Sequence, residues 1–100
     1  QMPSPSEILN DFQAFLHPKA EGKIRGRAKL VIEGVGAVLL DETGARVADE
    51  EADVVLKAKE EVFRRILSGE QNAIMAVMTR KLHVEGSPER ALKVAGLLVG

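Results

Sequence analysis

The sequence contains no cysteine, tryptophan or tyrosine, and its only aromatic residues are three phenylalanines. Without cysteine the chain has no disulfide, no thiolate ligand for zinc and no cysteine nucleophile, which is compatible with a reducing cytosol. So few aromatic rings do not supply the stacking surface on which single-stranded nucleic acids bind. The interior must therefore be mainly aliphatic.

A strong charge imbalance and long apolar runs are absent as well. The 14 basic and 15 acidic residues give a net charge of -1, whereas a dedicated nucleic-acid binder is usually strongly basic. No apolar run reaches the roughly 20 residues of a membrane-spanning helix, and the first residues do not resemble a cleavable signal. The chain also lacks the Ser-Lys-Leu tripeptide of peroxisomal proteins. We therefore expect a cytoplasmic, prokaryotic protein with one domain over residues 1–100.

What is present is a hydrophobic pattern that changes between the helix and strand periods. Apolar residues at helical spacing predict a first helix with Ser6 as its N-cap, which ends at Pro18. Alternating apolar and polar residues then predict four strands, at residues 23–33, 37–40, 45–48 and 52–58, with a turn at 41–44. The first half of the chain is therefore predicted as one helix and four strands.

The second half begins with a return to the helical period. The elements predicted there are a helix at residues 59–68, a short helix at 72–79 and a fifth strand at 81–85. Gly69 marks the end of the first of these helices. Ser87 and Pro88 mark the start of a last helix, in which Lys93 is the only charged residue after the first turn. A helix so apolar is buried on several sides or lies over an apolar opening.

The order of these elements and three segments of the second half resemble the sterol carrier protein 2 family. The segments are ADVVLKAKEEVF, ILSGE and AVMTRKLHVEG, and the matching residues are Ala52, Asp53, Val54, Leu56, Gly69, Ala76, Met78, Lys81, Leu82, Val84 and Gly86. The match covers most of the chain and is strongest over residues 52–98. Three positions depart from the family pattern: Lys59 replaces a Ser-like helix cap, Val77 replaces a common Phe, and Arg80 stands where a Gly often ends the short helix.

The resemblance implies an α+β fold, in which a five-stranded, mainly antiparallel sheet has helices packed on one face and a hydrophobic tunnel lies between sheet and helices. It also implies a non-enzymatic protein that binds or carries a fatty acid, a fatty acyl-CoA, a phospholipid or a sterol-like lipid. Such a protein needs no cofactor and no metal, and at most a transient contact with a membrane surface. The residues implied to line the tunnel are Phe12, Phe15, Phe63, Leu67, Ile74, Met75, Met78, Leu82, Leu92, Ala95 and Leu98.

The same apolar residues have a second interpretation. Helical periodicity shows which side chains are buried but not what they are buried against, so these residues also fit a filled core without a ligand. In that case the apolar last helix would be a protein-interaction or dimerisation surface, and the protein would form a homodimer. A third alternative is an accessory domain of a larger enzyme.

Basic residues alternate along the first predicted strand, and this places four cations on one face at intervals of about 6 to 7 Å. They are Lys23, Arg25, Arg27 and Lys29. The stripe fits anionic lipid headgroups, the phosphates of CoA or RNA, but it also fits a solvated sheet face. In the second case neighbouring carboxylates balance the charge, such as Glu33, Asp53 and Glu85.

The polar motifs do not indicate a catalytic or metal site. His83 and Glu85 share one face of the fifth strand and offer two metal ligands, which is fewer than a zinc site uses. The segment ADEEAD at residues 48–53 is acidic but lacks the ligand pattern and central glycine of a calcium loop. Both are therefore interpreted as exposed, charged surface.

Overall fold

The computed structural model describes residues 2–99. Four helices and five strands follow one another in the predicted order. They are α1 (Pro5–Ala20), β1 (Ala28–Ile32), β2 (Gly36–Asp41), β3 (Gly44–Val47), β4 (Val54–Ala58), α2 (Glu60–Ser68), α3 (Ala73–Met78), β5 (His83–Glu85) and α4 (Pro88–Leu98). Among these residues no helix is both long enough and apolar enough to cross a membrane.

The strands form a single sheet in the order β3-β2-β1-β4-β5. Three neighbouring pairs are antiparallel, and only β1 and β4 run parallel, with Leu30 opposite Leu56. The connection from β3 to β4 must therefore pass β2 and β1 to reach its place in the sheet. The sheet is mostly antiparallel, as predicted, with one parallel pair at its centre.

One face of the sheet and the helices enclose the hydrophobic core. Alternate residues of β1 point into it, and Ala28, Leu30 and Ile32 are at most 1% exposed. From α1 the core receives Leu16 among others, and from α4 it receives Leu98. The strand period of two thus decides which side chains the helices cover.

The opposite face of the sheet is partly covered by residues 48–53, which connect β3 to β4. Leu39 lies on this face, since it alternates with the core residues of β2, and yet it is fully buried. The acidic connection is held there by ion pairs, from Asp49 to Lys29 at 2.8 Å and from Glu50 to Arg27 at 3.1 Å. The ADEEAD segment therefore balances the charge of Lys29 on β1 and of Arg27 just before it.

The first helix differs from its prediction at both ends. Its N-cap is Ser4 and not Ser6, because the Ser4 side chain accepts a hydrogen bond from the Glu7 backbone N–H while the Glu7 carboxylate accepts one from the Ser4 N–H. At the other end the helix does not stop at Pro18 but continues to Ala20, which is fully buried in the core. Burial of this last turn compensates for the hydrogen bond that proline cannot donate.

The first strand is shorter than predicted, since residues 23–27 form a loop. Gly22 and Gly26 have φ angles of +75° and +64° and interrupt the extended conformation. Ile24 lies between them and is 4% exposed, so a buried loop residue continued the alternation of a strand. The stripe of four cations on one strand is therefore wrong: only Lys29 belongs to β1.

Signals at the ends of the later helices were more reliable. Gly69 has a φ of +86° and closes α2 as predicted. Ser87 caps α4, with its Oγ accepting a hydrogen bond from the Arg90 N–H at 3.3 Å, and Pro88 takes the first helical position. These signals depend on neighbouring residues alone, so tertiary packing did not displace them.

Candidate functional site

The eleven residues expected to line a tunnel divide into two groups by exposure. Six are at most 5% exposed: Phe12, Phe63, Leu67, Leu82, Ala95 and Leu98. The other five are between 40% and 71% exposed: Phe15, Ile74, Met75, Met78 and Leu92. The apolar residues of this set therefore contribute partly to the core and partly to the walls of surface grooves.

The first groove lies between α1 and α2 and has a volume of about 550 Å³. Its lining residues are Asp11, Phe12, Ala14, Phe15, Arg64, Leu67 and Ser68. The guanidinium carbon of Arg64 lies 4.7 Å from the Phe12 ring centroid, and Lys19 Nζ lies 4.9 Å from that of Phe15. Cations therefore already lie over two aromatic rings beside this groove.

The second groove lies among α2, α3 and α4 and has a volume of about 340 Å³. Its lining residues are Ile66, Gly69, Gln71, Asn72, Ala73, Ile74, Leu92, Ala95, Gly96 and Val99. Asn72 starts α3, because its side chain accepts a hydrogen bond from the Met75 N–H at 3.1 Å. Gly96 adds no side chain on α4, and a Cβ there would meet no atom within 4 Å. The groove is therefore open at this point of α4.

The third groove lies among α3, β5 and α4 and has a volume of about 370 Å³. Its lining residues are Ile74, Val77, Met78, Arg80, Leu82, His83, Val84, Pro88 and Leu92. Arg80 has a φ of +61°, the left-handed conformation that favours glycine, and it stands where the family often has a glycine. The turn from α3 into β5 thus keeps this backbone conformation without a glycine, and its arginine lies among the lining residues.

Two side chains line both the second and the third groove. Ile74 of α3 and Leu92 of α4 are 51% and 40% exposed, and they separate two adjoining apolar spaces. Only Ala76 of α3 is buried, so this six-residue helix presents most of its apolar side chains to solvent. We name the second and third grooves with Ile74 and Leu92 the α3–α4 site.

The sequence reasoning missed several residues of the α3–α4 site. They are Ile66, Val77, Val84, Pro88, Gly96 and Val99, among others. The spacing of Gly96 and Val99 from Leu92 places all three on one side of α4, a signal that was present in the sequence. Phe63, Met75 and Leu98 line none of the three grooves: Phe63 and Leu98 are core residues, and Met75 is 52% exposed.

Shifted acid–base groups lie outside these grooves. Hydrogen bonds from the backbone N–H of Ser4 and then from its hydroxyl lower the pKa of Glu7. The pKa of Asp41 is lowered by the Thr43 hydroxyl, then by the Thr43 N–H, and also by Arg46. Glu7 belongs to a helix cap and Asp41 to a hairpin turn, so both shifts stabilise local structure.

The α3–α4 site can bind a ligand chiefly through apolar contacts. Its titratable side chains are Arg80 and His83, both in the third groove. Across residues 2–99 no three side chains of histidine, aspartate or glutamate are grouped to hold a metal ion. The site therefore offers an apolar surface that hydrocarbon can contact, with the cation Arg80 at one side.

Comparison with known proteins finds the same fold in sterol carrier proteins. The SCP-2 sterol transfer family matches residues 9–99. The sterol carrier protein domain 2 of Helicoverpa armigera has a TM-score of 0.75 at 16% identity, covering 98% of this chain and 91% of that one. Sterol Carrier Protein 2 Like 2 from Aedes aegypti has a TM-score of 0.65 at 20% identity, covering 91% and 93%. The predicted α+β fold class and the family resemblance are confirmed.

A similar region also occurs within an enzyme. The stereoselective inverting sec-alkylsulfatase Pisa1 from Pseudomonas sp. matches with a TM-score of 0.66 and 20% identity over 98% of this chain, but this covers only 17% of that protein. The activity of the alkylsulfatase is thus a property of a much longer chain. Comparison with curated proteins finds no matching sequence.

Proposed function

Because this chain belongs to the SCP-2 sterol transfer family, we propose that it binds a lipid in the cytoplasm and carries it without chemical conversion. The ligand class is a molecule with a long acyl chain: a fatty acid, a fatty acyl-CoA or a phospholipid. Each CH₂ group moved from water into an apolar site contributes about 0.8 kcal/mol, so a long chain offsets the cost of immobilisation by apolar contacts alone.

The proposed binding position is the α3–α4 site. The observation that carries this choice is the exposure of Ile74 and Leu92, which stand between two apolar grooves and contribute to both. Large apolar side chains in contact with water at the rim of a groove are stabilised when hydrocarbon covers them. Volumes of about 340 and 370 Å³ are at the lower end of the range for small-molecule sites.

The groove between α1 and α2 is a weaker candidate in spite of its larger volume. Charged side chains form part of its wall, with Asp11 and Arg64 on opposite helices. Hydrocarbon in this groove would displace water from these charges without replacing its hydrogen bonds, which lowers affinity. The position of Arg64 over Phe12 also covers apolar surface that a ligand would otherwise contact.

The way in which the two grooves would form one tunnel is part of the proposal. Ile74 lies on α3, a six-residue helix with one buried side chain, so α3 is held by few apolar contacts. A small outward shift of α3 would move Ile74 away from Leu92 and join the two spaces. Met78 beside them is unbranched and flexible, and such a side chain adapts to ligands of different shape.

A second function remains a candidate because α4 exposes apolar residues. Leu92, Leu97 and Val99 are 40%, 40% and 44% exposed, which also fits a surface covered by another protein or a second copy of this chain. In that case the grooves would be filled by side chains of the partner. The two functions differ in stoichiometry, since one predicts a monomer with lipid and the other a dimer without it.

The test is a titration of delipidated protein with a fluorescent fatty acid, with displacement by acyl-CoA, phospholipid and sterol. Gly96→Leu places a side chain in the second groove where an added Cβ meets no atom, so it should block binding while the protein stays folded. Leu92→Glu puts a charge between the grooves and should weaken binding at least about tenfold, equal to about 1.4 kcal/mol.

Phe15→Glu is the matched control, because Phe15 is 43% exposed and lines the groove between α1 and α2. It should leave the affinity unchanged. A loss of binding in Phe15→Glu but not in Leu92→Glu would move the site to the other groove. If the folded wild-type protein binds no lipid and sediments as a dimer, the carrier function is wrong and the interaction module replaces it.

A further inference from the structure

The loop before β1 and one side of α4 together form a basic groove with a volume of about 330 Å³. Its lining residues are Lys23, Ile24, Arg25, Arg90, Lys93, Val94 and Leu97. Four of these seven side chains are cations and the other three are apolar. None of them lines the α3–α4 site, which lies along the opposite edge of the solvent-facing surface of α4.

Asp53 holds the two walls of the basic groove together. Its carboxylate accepts a hydrogen bond from the Arg27 N–H at 3.0 Å and lies 3.7 Å from Arg90 Nη1. Arg90 in turn donates a hydrogen bond to the carbonyl of Arg25. The loop is thus fastened to α4 by a residue of the family motif, and the groove keeps its shape without a ligand.

Three cations of the basic groove have no anionic partner among residues 2–99. Within the part of the chain that the structure describes, no carboxylate oxygen lies within 4.0 Å of the side-chain nitrogens of Lys23, Arg25 or Lys93, and Arg90 alone of the four is paired. By contrast, Arg27 and Lys29 nearby are paired with Glu50 and Asp49. The connection between β3 and β4 therefore pairs with Arg27 and Lys29 but not with Lys23, Arg25 or Lys93 of the groove.

A second basic cluster near β5 shows what is particular to this one. That cluster contains Lys59, Arg65, Arg80 and Lys81, but Glu33 and Glu61 line the same groove. The basic groove beside α4 has no carboxylate among its lining residues. The carboxylate next to it in sequence is Glu89, which precedes Arg90 in the first turn of α4. The electrostatic potential in the basic groove is therefore more positive than in the second cluster.

Exposed apolar side chains accompany the free cations. Leu97 lines the basic groove at one edge of the solvent-facing surface of α4 and is 40% exposed. Leu92, at the opposite edge of this surface, is also 40% exposed. Lys93 lies between Leu92 and Leu97 along this surface. A phosphate in solution would use the cations but would gain nothing from these leucines.

We propose that this face, formed by residues 23–25 and the outer side of α4, docks on a bilayer that contains anionic phospholipids. The proposal rests on the proposed function, because a lipid carrier must exchange its ligand with a membrane. Lys23, Arg25 and Lys93 attract the negative surface, and this attraction decays within a Debye length. Leu97 and Leu92 enter the boundary between headgroups and acyl chains, as the apolar face of an interfacial helix does.

The test is flotation of the full chain with vesicles of phosphatidylcholine alone and with vesicles in which phosphatidylglycerol replaces part of it. The wild type should float with the anionic vesicles only, and less so in high salt. The triple variant Lys23→Gln, Arg25→Gln, Lys93→Gln should lose on the order of 100-fold in affinity, since each cation near such a surface contributes about fivefold. Leu97→Gln should weaken binding and leave its salt dependence unchanged.

The matched control removes three positive charges elsewhere, by Lys57→Gln, Lys59→Gln and Lys81→Gln. It should keep most of the affinity, because these side chains lie away from the proposed face. Equal losses in both triple variants, or no binding of the wild type to anionic vesicles, would overturn the proposal. Displacement of the protein from the vesicles by inorganic phosphate at low concentration would also overturn it, since the groove would then be a site for free phosphate.

Titration with a fluorescent fatty acid in the absence of vesicles separates this proposal from the proposed function. The triple variant of Lys23, Arg25 and Lys93 should bind the fatty acid like the wild type. If no variant binds fatty acid but the wild type still floats with anionic vesicles, the carrier function fails and the docking face stands. If the wild-type protein binds fatty acid but does not float with anionic vesicles, only the proposed docking face is wrong.

Discussion

Replacement of Gly96 by alanine should stabilise the protein. Gly96 lies in the second half of α4, is exposed, and an added Cβ would meet no atom within 4 Å. A helix with glycine in its interior is less stable than the same helix with alanine by about 0.5 to 1 kcal/mol. The main reason is that the chain with glycine loses more conformational entropy when it folds. Since Gly96 is in the last turn, where a helix frays, we expect the lower value of about 0.5 kcal/mol.

Urea denaturation followed by circular dichroism measures this gain as a higher midpoint with an unchanged slope. For a domain of this size it corresponds to an increase of about 2 to 4 °C in Tm. Gly22→Ala is the matched control: no atom lies within 4 Å of its added Cβ either, but its φ of +75° is strained for alanine. It should therefore destabilise the protein by about 1 kcal/mol. A loss of stability in Gly96→Ala would refute the helical conformation and the open space assigned to this position.

Two further substitutions test close contacts elsewhere in the fold. Gly86→Ala should lower the free energy of unfolding by about 2 to 3 kcal/mol in thermal denaturation, because Gly86 has a φ of +92° and its Cβ would lie 2.3 Å from the backbone oxygen of Asp53; a neutral result would mean that these backbones are further apart. Asp41→Asn should destabilise the protein at neutral pH, since hydrogen bonds from the Thr43 hydroxyl and N–H lower the pKa of Asp41 from its usual value. A carboxyl group whose pKa is lower in the folded protein than in the unfolded chain stabilises the fold at pH values above its unfolded pKa. This contribution is lost as the pH falls through the folded pKa, so the wild type and Asp41→Asn should become equally stable in acid. A difference in stability that stays constant with pH would contradict this.

The sequence predicted the order and type of all nine elements, but it predicted their ends only where neighbouring residues decide them. Ser87 with Pro88 at the start of α4 is such a case. At the start of α1 the signal is also local, because Ser4 and Glu7 have the spacing of a capping box, although the predicted N-cap is Ser6. Ile24 misled the strand prediction for a different reason, since its burial depends on packing against α4 and not on a strand.

The candidate site was less predictable than the fold. Helical periodicity correctly predicted that α3 and α4 each have an apolar face, but it does not show which element of the fold covers each face. Ile74 and Leu92 stay exposed because each of these faces is only partly covered by its neighbour, and this depends on the position of α3 in space. Gly96 has no side chain, so it does not contribute to the apolar periodicity, although this missing side chain opens the second groove.

The family motif has a structural explanation that links the fold to both proposals. Asp53 connects the loop of residues 23–27 to Arg90 on α4, and the backbone of Asp53 lies against Gly86, where a Cβ would not fit. Both residues thus fix the start of α4 relative to β4. The solvent-facing surface of α4 has the α3–α4 site along one edge and the basic groove along the other. A bilayer that docks on this surface through Lys93 and Leu97 therefore also reaches Leu92 and the rim of the α3–α4 site. A lipid that leaves the membrane there would enter the site without crossing water, so the free energy of transfer would not include exposure of its acyl chain.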